Sequence, residues 1–208
     1  EDEMLARYDV ARATLREALR FLELQGGIHL QLGRGGGPVV ARPQSGDFAN
    51  SLSLILQFME ADLRGLPELR EAIAPDVAAY AAQRATTGDL SALADCLEEL
   101  ERNEAGSQFE ELNRRFHDLL GWASGNPLFG LLTSALHMLT RKFSLSLGYS
   151  AQERAVQLRF LRRVLEAVRK GDAEGARQSM ARLVAGSASY LAERSPELVS
   201  QKVKWGQT

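Results

Sequence analysis

The spacing of apolar residues divides the chain into two parts. From residue 47 onward, apolar positions recur at the three- and four-residue spacing of amphipathic helices. Glycine, proline and small polar residues interrupt this pattern at 65–67, 87–89, 104–106, 125–127, 148–150 and 171–172. Such breaks end helices, so the second part is predicted to contain about seven of them.

The first part has a different pattern of apolar and polar residues. Met4–Tyr8 and Ala11–Leu24 predict two helices joined by a tight turn, which is typical of a helix-turn-helix. Residues 28–32 then alternate between apolar and polar, 33–37 form a glycine-rich turn, and 38–41 supply a returning strand. We therefore expect a β-hairpin wing behind the second helix.

A short linker separates the two parts. Residues 42–46 combine a proline, a serine and a glycine, and proline lacks the N–H needed to continue a helix or a sheet. We place the domain boundary there, with a winged helix-turn-helix at 1–43 and a helical domain at 44–208.

Composition narrows the class of protein. Cys96 is the single cysteine, which excludes an internal disulfide, and we expect it to be an apolar helix residue. No apolar run approaches the roughly 20 residues of a membrane helix. A soluble, cytoplasmic protein that does not bind membranes is expected.

Positive charge is concentrated in the first part, although the formal net charge of the chain is -2. Between residues 7 and 42 there are six arginines and three acids. Arg12, Arg16 and Arg20 are spaced four apart, so they form a basic row beside the apolar stripe of their helix. Such a row is often only a solvated face, but beside a glycine-rich hairpin it favours DNA, with Arg12 and Arg16 reading bases and Arg34 reaching the backbone.

Residues 10–27, followed by 33–37, resemble the recognition helix and wing of GntR-family transcription regulators. The resemblance implies that Arg7, Arg12, Thr14, Arg16 and Gly33 contact DNA. Beside them we expect Ala13 on the helix and Arg34 and Gly35 at the hairpin tip to lie at the same interface. The family usually has Ser where this chain has Ala11, so one helix cap or phosphate contact is expected to be missing. In the family a further helix and strand precede this point, so we expect either a truncated chain or an incomplete head.

The second part resembles the FCD effector domain of the FadR branch of that family. The matching segments are residues 66–82, 113–117, 123–127 and 171–174. The resemblance implies an antiparallel helical bundle with a central pocket, which dimerises through its helices.

Many members of that family hold a divalent metal with one Asp and three His. At the corresponding positions this chain has Asn113, His117, Leu161 and Leu183. One amide and one imidazole do not provide a closed metal site, so we expect no metal. His137 and His29 match no ligand position, and we expect both to be surface or partly buried residues.

The same substitutions bear on the effector. Leu161 and Leu183 would make the pocket apolar and favour a fatty-acyl ligand, while Arg70, Asn113 and His117 would bind its acidic group. The alternative is that both leucines simply close the core and that Arg70 pairs with Glu68 or Asp76.

These observations predict a transcription regulator without catalytic activity and without a cofactor. A homodimer would bind a pseudo-palindromic operator in double-stranded DNA, and a small-molecule effector would relieve repression. The alternative is a helical adaptor that binds only proteins, which would not explain a basic helix followed by a glycine-rich wing.

Overall fold

The computed structural model describes residues 2–31, 33, 36–41, 45–62, 64–194 and 196, with backbone only for 142–147. The helices are α1 (Asp2–Tyr8), α2 (Arg12–Leu24), α3 (Ser45–Phe58), α4 (Gly65–Arg84), α5 (Thr87–Arg102), α6 (Phe109–Ala123), α7 (Pro127–Leu147), α8 (Ala151–Lys170) and α9 (Ala173–Arg194). The strands are β1 (Ile28–Gln31) and β2 (Gly37–Val40). The predicted winged helix-turn-helix followed by a helical bundle is confirmed, and none of the described helices has the length and apolar composition to cross a membrane.

The head is built on a small apolar cluster. Leu15 and Leu19 on α2 pack with Ile28 on β1, and residues of α1 cover them. Strands β1 and β2 pair antiparallel with Ile28 opposite Val40. Gly26 follows the C-cap residue of α2 and has a φ of +70°, which favours glycine, and the N–H of Gly27 donates to the carbonyl of Leu22 at 2.9 Å.

The body is a bundle of α3 to α9. Helix α4 packs along α9, α9 against α8, α6 against both α5 and α7, and α3 against α7. The main core joins α4, α5, α6, α8 and α9. Its interior face on α4 consists of small side chains, Ala78 and Ala81, which let α9 approach closely. Cys96 is buried in this core, as expected, and burial raises the pKa of its thiol to about 11.

Two predicted breaks are displaced. Gly65 and Gly88 lie in the first turns of α4 and α5 and not between helices. Proline and glycine are tolerated in a first turn because its N–H groups need no partner within the helix. The actual start of α5 is set by Thr86, which forms a reciprocal capping box with Asp89.

Two glycines bring α6 and α7 together. A Cβ on Gly121 would lie 3.3 Å from Cα of Gly130, and a Cβ on Gly130 would overlap the ring of Trp122. The two backbones are therefore closer than ordinary side chains would allow, and polar residues on the two helices can meet.

Candidate functional site

Two polar side chains of α6 face the interior of the bundle. Asn113 and His117 are four residues apart, so they project from the same side of the helix. They are 8% and 5% exposed. The adjacent side of α6 supplies apolar residues to the main core: Phe109, Leu112, Phe116 and Leu120. The polar pair thus lies at the border of that core.

Arg70 approaches this pair from α4. Burial, followed by the positive charges of Arg70 and His137, holds the pKa of His117 well below its ordinary value of 6.5. Burial also lowers the pKa of Arg70 itself, while the nearby Tyr149 and Asp118 oppose that shift. The structure therefore brings together Arg70, Asn113 and His117, which the sequence had grouped from three separate positions.

The alternative partners proposed for Arg70 are not used. Asp76 binds Arg177, with 2.8 Å between its Oδ1 and Nη2 of that arginine. Within the described part of the chain, Arg70 forms no ion pair with Glu68 or Asp76. Its guanidinium keeps its donors available for another group.

His137 is a site residue that the sequence analysis missed. It was expected at the surface or partly buried, but it is 4% exposed, with its ring 5.8 Å from that of His117. Its Nδ1 lies 2.6 Å from Oδ1 of Asp118. His137 lies on the side of α7 away from its apolar stripe, and such a position is normally exposed. In this fold that side is also buried, because both α3 and α6 pack against α7. His29, by contrast, is exposed on β1, as expected.

The hydrogen bonding of the cluster is incomplete. Among the described residues, Oδ1 of Asn113 is buried and has no hydrogen-bond partner. An unsatisfied buried acceptor costs about 1–3 kcal/mol. Together with the donors of Arg70, this atom marks a place where a polar ligand would improve the bonding.

Leu161 and Leu183 lie deep in the main core, at 0% and 2% exposure. This placement corresponds to the alternative in which the two leucines close the core. They supply no donor atoms, so the residues at the family's metal positions do not fit a metal ion. No group of three or more His, Cys, Asp or Glu within the described ranges is arranged to hold one. The absence of a cofactor stays a prediction.

The front of α2 presents the predicted DNA-contacting residues to solvent. Arg12, Ala13, Thr14 and Arg16 are all exposed, as is Arg7 on α1. Nη2 of Arg12 lies 2.9 Å from Oδ1 of Asp2, and such exposed ion pairs contribute only about 0–1 kcal/mol. Ala11 is the N-cap of α2 and makes no side-chain cap bond, as its departure from the usual Ser implies.

The hairpin follows directly behind this helix. Gly33 has a φ of +110°, a conformation that favours glycine, and so it forms the turn that the sequence predicted. Arg34 and Gly35, predicted at the hairpin tip, lie outside the described residues, as do Arg42 to Gln44 at the predicted domain boundary.

Comparisons with known proteins agree with this architecture. The FCD domain family model matches residues 66–186, more than half of the 208-residue chain. The chain is 28% identical over 152 residues to the HTH-type transcriptional regulator LutR of Bacillus subtilis (strain 168), covering 73% of this chain and 66% of LutR, just under two thirds. It is 24% identical over 200 residues to the galactonate operon transcriptional repressor of Escherichia coli (strain K12), covering 93% of this chain and 86% of that protein.

Among solved structures, Streptococcus agalactiae GntR superposes with a TM-score of 0.70 at 22% identity, covering 90% of this chain and 86% of that one. At this identity the likeness shows the fold. A hairpin-winged helix-turn-helix precedes the FCD bundle, and the two relatives above are named as transcriptional regulators. The chain belongs to the FCD domain family.

The buried histidines predict a pH dependence of stability. Burial lowers the pKa of both His117 and His137 below 6.5, so the unfolded chain binds more protons than the folded one just below that pH. The free energy of unfolding is therefore retained above pH 6.5 and decreases below it. At one pH unit below the ordinary pKa of histidine, each histidine that stays neutral in the folded chain lowers the free energy of unfolding by about 1.4 kcal/mol.

The measurement is urea unfolding at pH 7.5 and 5.5, at fixed protein concentration, for the wild type and His117→Gln. The variant should lose less stability between the two pH values than the wild type. His29→Gln, which removes an exposed imidazole, is the matched control. An identical loss in wild type and His117→Gln would show that His117 is not held neutral.

Proposed function

We propose that the chain binds a double-stranded DNA operator as a homodimer, and that a small acidic effector bound beside α6 controls this binding. We also propose that the chain belongs to the FadR branch of the GntR family. The seven helices α3 to α9 support this assignment. The main observation behind the proposal of DNA binding is that Arg12 and Arg16 are exposed in the N-terminal part of α2, and that the β1–β2 hairpin follows this helix.

The DNA half of the proposal follows from the chemistry of arginine. Its planar guanidinium can donate two hydrogen bonds to the major-groove edge of guanine, and the N-terminal residues of a recognition helix reach that edge. Arg12 and Arg16 would read bases, while Ala13, Thr14 and Arg7 would approach bases or phosphates. Gly33, together with Arg34 and Gly35, would bring the wing to the sugar-phosphate backbone.

The effector half rests on Oδ1 of Asn113, which is buried without a hydrogen-bond partner among the described residues, and on the polar groups near it. Arg70 offers charged donors, Asn113 offers an amide, and His117 a neutral imidazole, which together suit a carboxylate with neighbouring hydroxyl or carbonyl groups. Because Leu161 and Leu183 pack inside the core, these polar groups decide the ligand class. A fatty-acyl portion stays a prediction that the mass of the ligand would test.

Control of DNA binding would be a shift between two arrangements of the heads. Two heads on one dimer must match the spacing of two operator half-sites, so a small change in their separation alters affinity. A ligand that binds one arrangement better than the other shifts the population toward it. Release from the operator on ligand binding is the form of control that we propose, in a cytoplasmic repressor.

Replacing Arg12 and Arg16 with alanine should remove sequence selectivity. Each base contact contributes about 1–3 kcal/mol to discrimination. The measurement is fluorescence anisotropy, with a duplex that the wild type has selected from a random-sequence library and a scrambled duplex. The affinity of the double variant for the two duplexes should become nearly equal.

Arg182→Ala removes the same charge from an exposed position on α9 and should leave selectivity unchanged. Wild-type affinity should fall steeply with salt, because neutralised phosphates release counterions. A protein adaptor would show no salt-dependent duplex binding. A wild type that selects no sequence, or a double variant that keeps its selectivity, contradicts the DNA half.

The effector half predicts that the purified full chain retains an acidic compound. Native mass spectrometry should detect it as a small added mass, which denaturation releases for identification. Arg70→Met, which removes the charge but keeps much of the side-chain volume, should lower the retained fraction, whereas Arg182→Met should not. A stoichiometric metal ion, or a neutral compound retained equally by Arg70→Met, would overturn this assignment.

A further inference from the structure

A cleft with a volume of about 530 Å³ lies between α3, α6 and α7. Its wall includes Arg114, Ser134 and the first turn of α3 at Ser45 and Gly46, but not Arg70, Asn113 or His117. His137 also lines the cleft, so the cleft borders the site proposed for the effector, but its buried guanidinium is that of Arg114 and not that of Arg70. Its volume is within the range of about 300–1,000 Å³ of small-molecule sites.

Arg114 provides the chemistry of this cleft. Its side chain is only 9% exposed, and its Nη2 binds Glu111. Among the described residues, its Nη1 is buried without a hydrogen-bond partner. A buried guanidinium N–H without an acceptor is costly, so an acceptor-bearing ligand would be favoured at this atom.

The acidic groups in the wall are already engaged. Glu111 binds Arg114 and lies 3.8 Å from Nε of Arg141, and Asp118 binds His137. On the opposite wall, Ser45 and Gly46 belong to the first turn of α3, which carries the positive end of the helix dipole. Among the described residues of the wall, the buried side-chain atom left without a partner is a donor, Nη1 of Arg114.

Apolar side chains complete the wall: Trp122, Leu131 and Met138. A ligand that satisfies both kinds of surface has an anionic oxygen group and an apolar portion. A small carboxylic acid fits this description, because Arg114 has one nitrogen to offer and not a free two-pronged fork.

The cleft is next to the connection between body and head. A Cβ on Gly46 would lie 3.4 Å from Cε of Met138, so the first turn of α3 lies against α7. One residue further on, the carboxylate of Asp47 lies so close to Gly26, at the end of α2, that any side chain on Gly26 would overlap it. One turn of α3 therefore touches both the cleft and the head.

We propose that this cleft binds a small carboxylic acid through Nη1 of Arg114, and that the bound acid immobilises the first turn of α3 against α7. The link to DNA affinity rests on the proposed function, whereas binding itself does not. The cleft thus gives the regulator a second ligand site, which acts on the head through α3.

The test uses Trp122, which lines the cleft and is 46% exposed, as the reporter. In the full chain with Trp205→Phe, Trp122 is the only tryptophan that remains of two. Its emission is titrated with benzoate, citrate and inorganic phosphate at constant ionic strength. We expect a saturable change with at least one of the carboxylates.

Arg114→Met should weaken that binding by about tenfold or more. Gly46→Val narrows the cleft from the opposite wall, leaves Arg114 intact, and should weaken binding as well. Arg182→Met is the matched control, and Arg70→Met should retain the binding because Arg70 is outside the cleft. Thermal melts establish that each variant is folded.

Hydrogen exchange then follows α3, and its first-turn amides should exchange more slowly when the carboxylate is bound. The proposal is overturned if neither carboxylate gives a saturable change, if phosphate alone does, or if Arg70→Met and not Arg114→Met abolishes binding. Unchanged exchange in α3 overturns the coupling. None of these readouts uses DNA, so failure here is distinguishable from failure of the DNA-binding proposal.

Discussion

Helix α6 is packed against α4, α5 and α7. The burial of its polar side chains, and with it both proposed ligand sites, depends on this packing on several sides. A helix with one packed side would leave its polar residues in water, but α6 is surrounded, so several of its polar side chains are buried with its apolar ones. Burial of a polar group costs free energy unless the group finds a partner. Asn113 and Arg114, on adjacent sides of α6, each keep one buried atom without a partner among the described residues.

The two sides of α6 face different parts of the molecule. The side with Asn113 and His117 faces Arg70 of α4, at the border of the main core. The side with Arg114 faces α3 and α7, next to the turn that contacts the head. His137 belongs to both sites: its ring lies near that of His117, and it lines the cleft, where its Nδ1 lies 2.6 Å from Oδ1 of Asp118. One enclosed helix thus accounts for both proposed ligand sites.

The parts of this structure that sequence could predict are those that depend on local chemistry. Gly171 ends α8 and Asn126 caps α7 where the breaks were expected, because a left-handed cap and a side-chain cap involve neighbouring residues only. His137 and Arg114 were missed because their burial depends on which helices pack against α7 and α6, and a helical repeat along one segment contains no such information. Resemblance identified Asn113 and His117, but not the atoms left without partners.

The central claim is that α6 carries buried polar groups that serve a ligand at a cost to stability. Its most direct test is the free energy of unfolding of Asn113→Leu, which replaces the amide by an apolar side chain of similar shape, with variant and wild type both freed of retained ligand by denaturation and refolding. An amide oxygen that lacks a partner in the folded chain predicts that the variant is more stable than the wild type, by about 1–3 kcal/mol. A variant of lower stability would show that Asn113 is bonded within the protein and would contradict the claim.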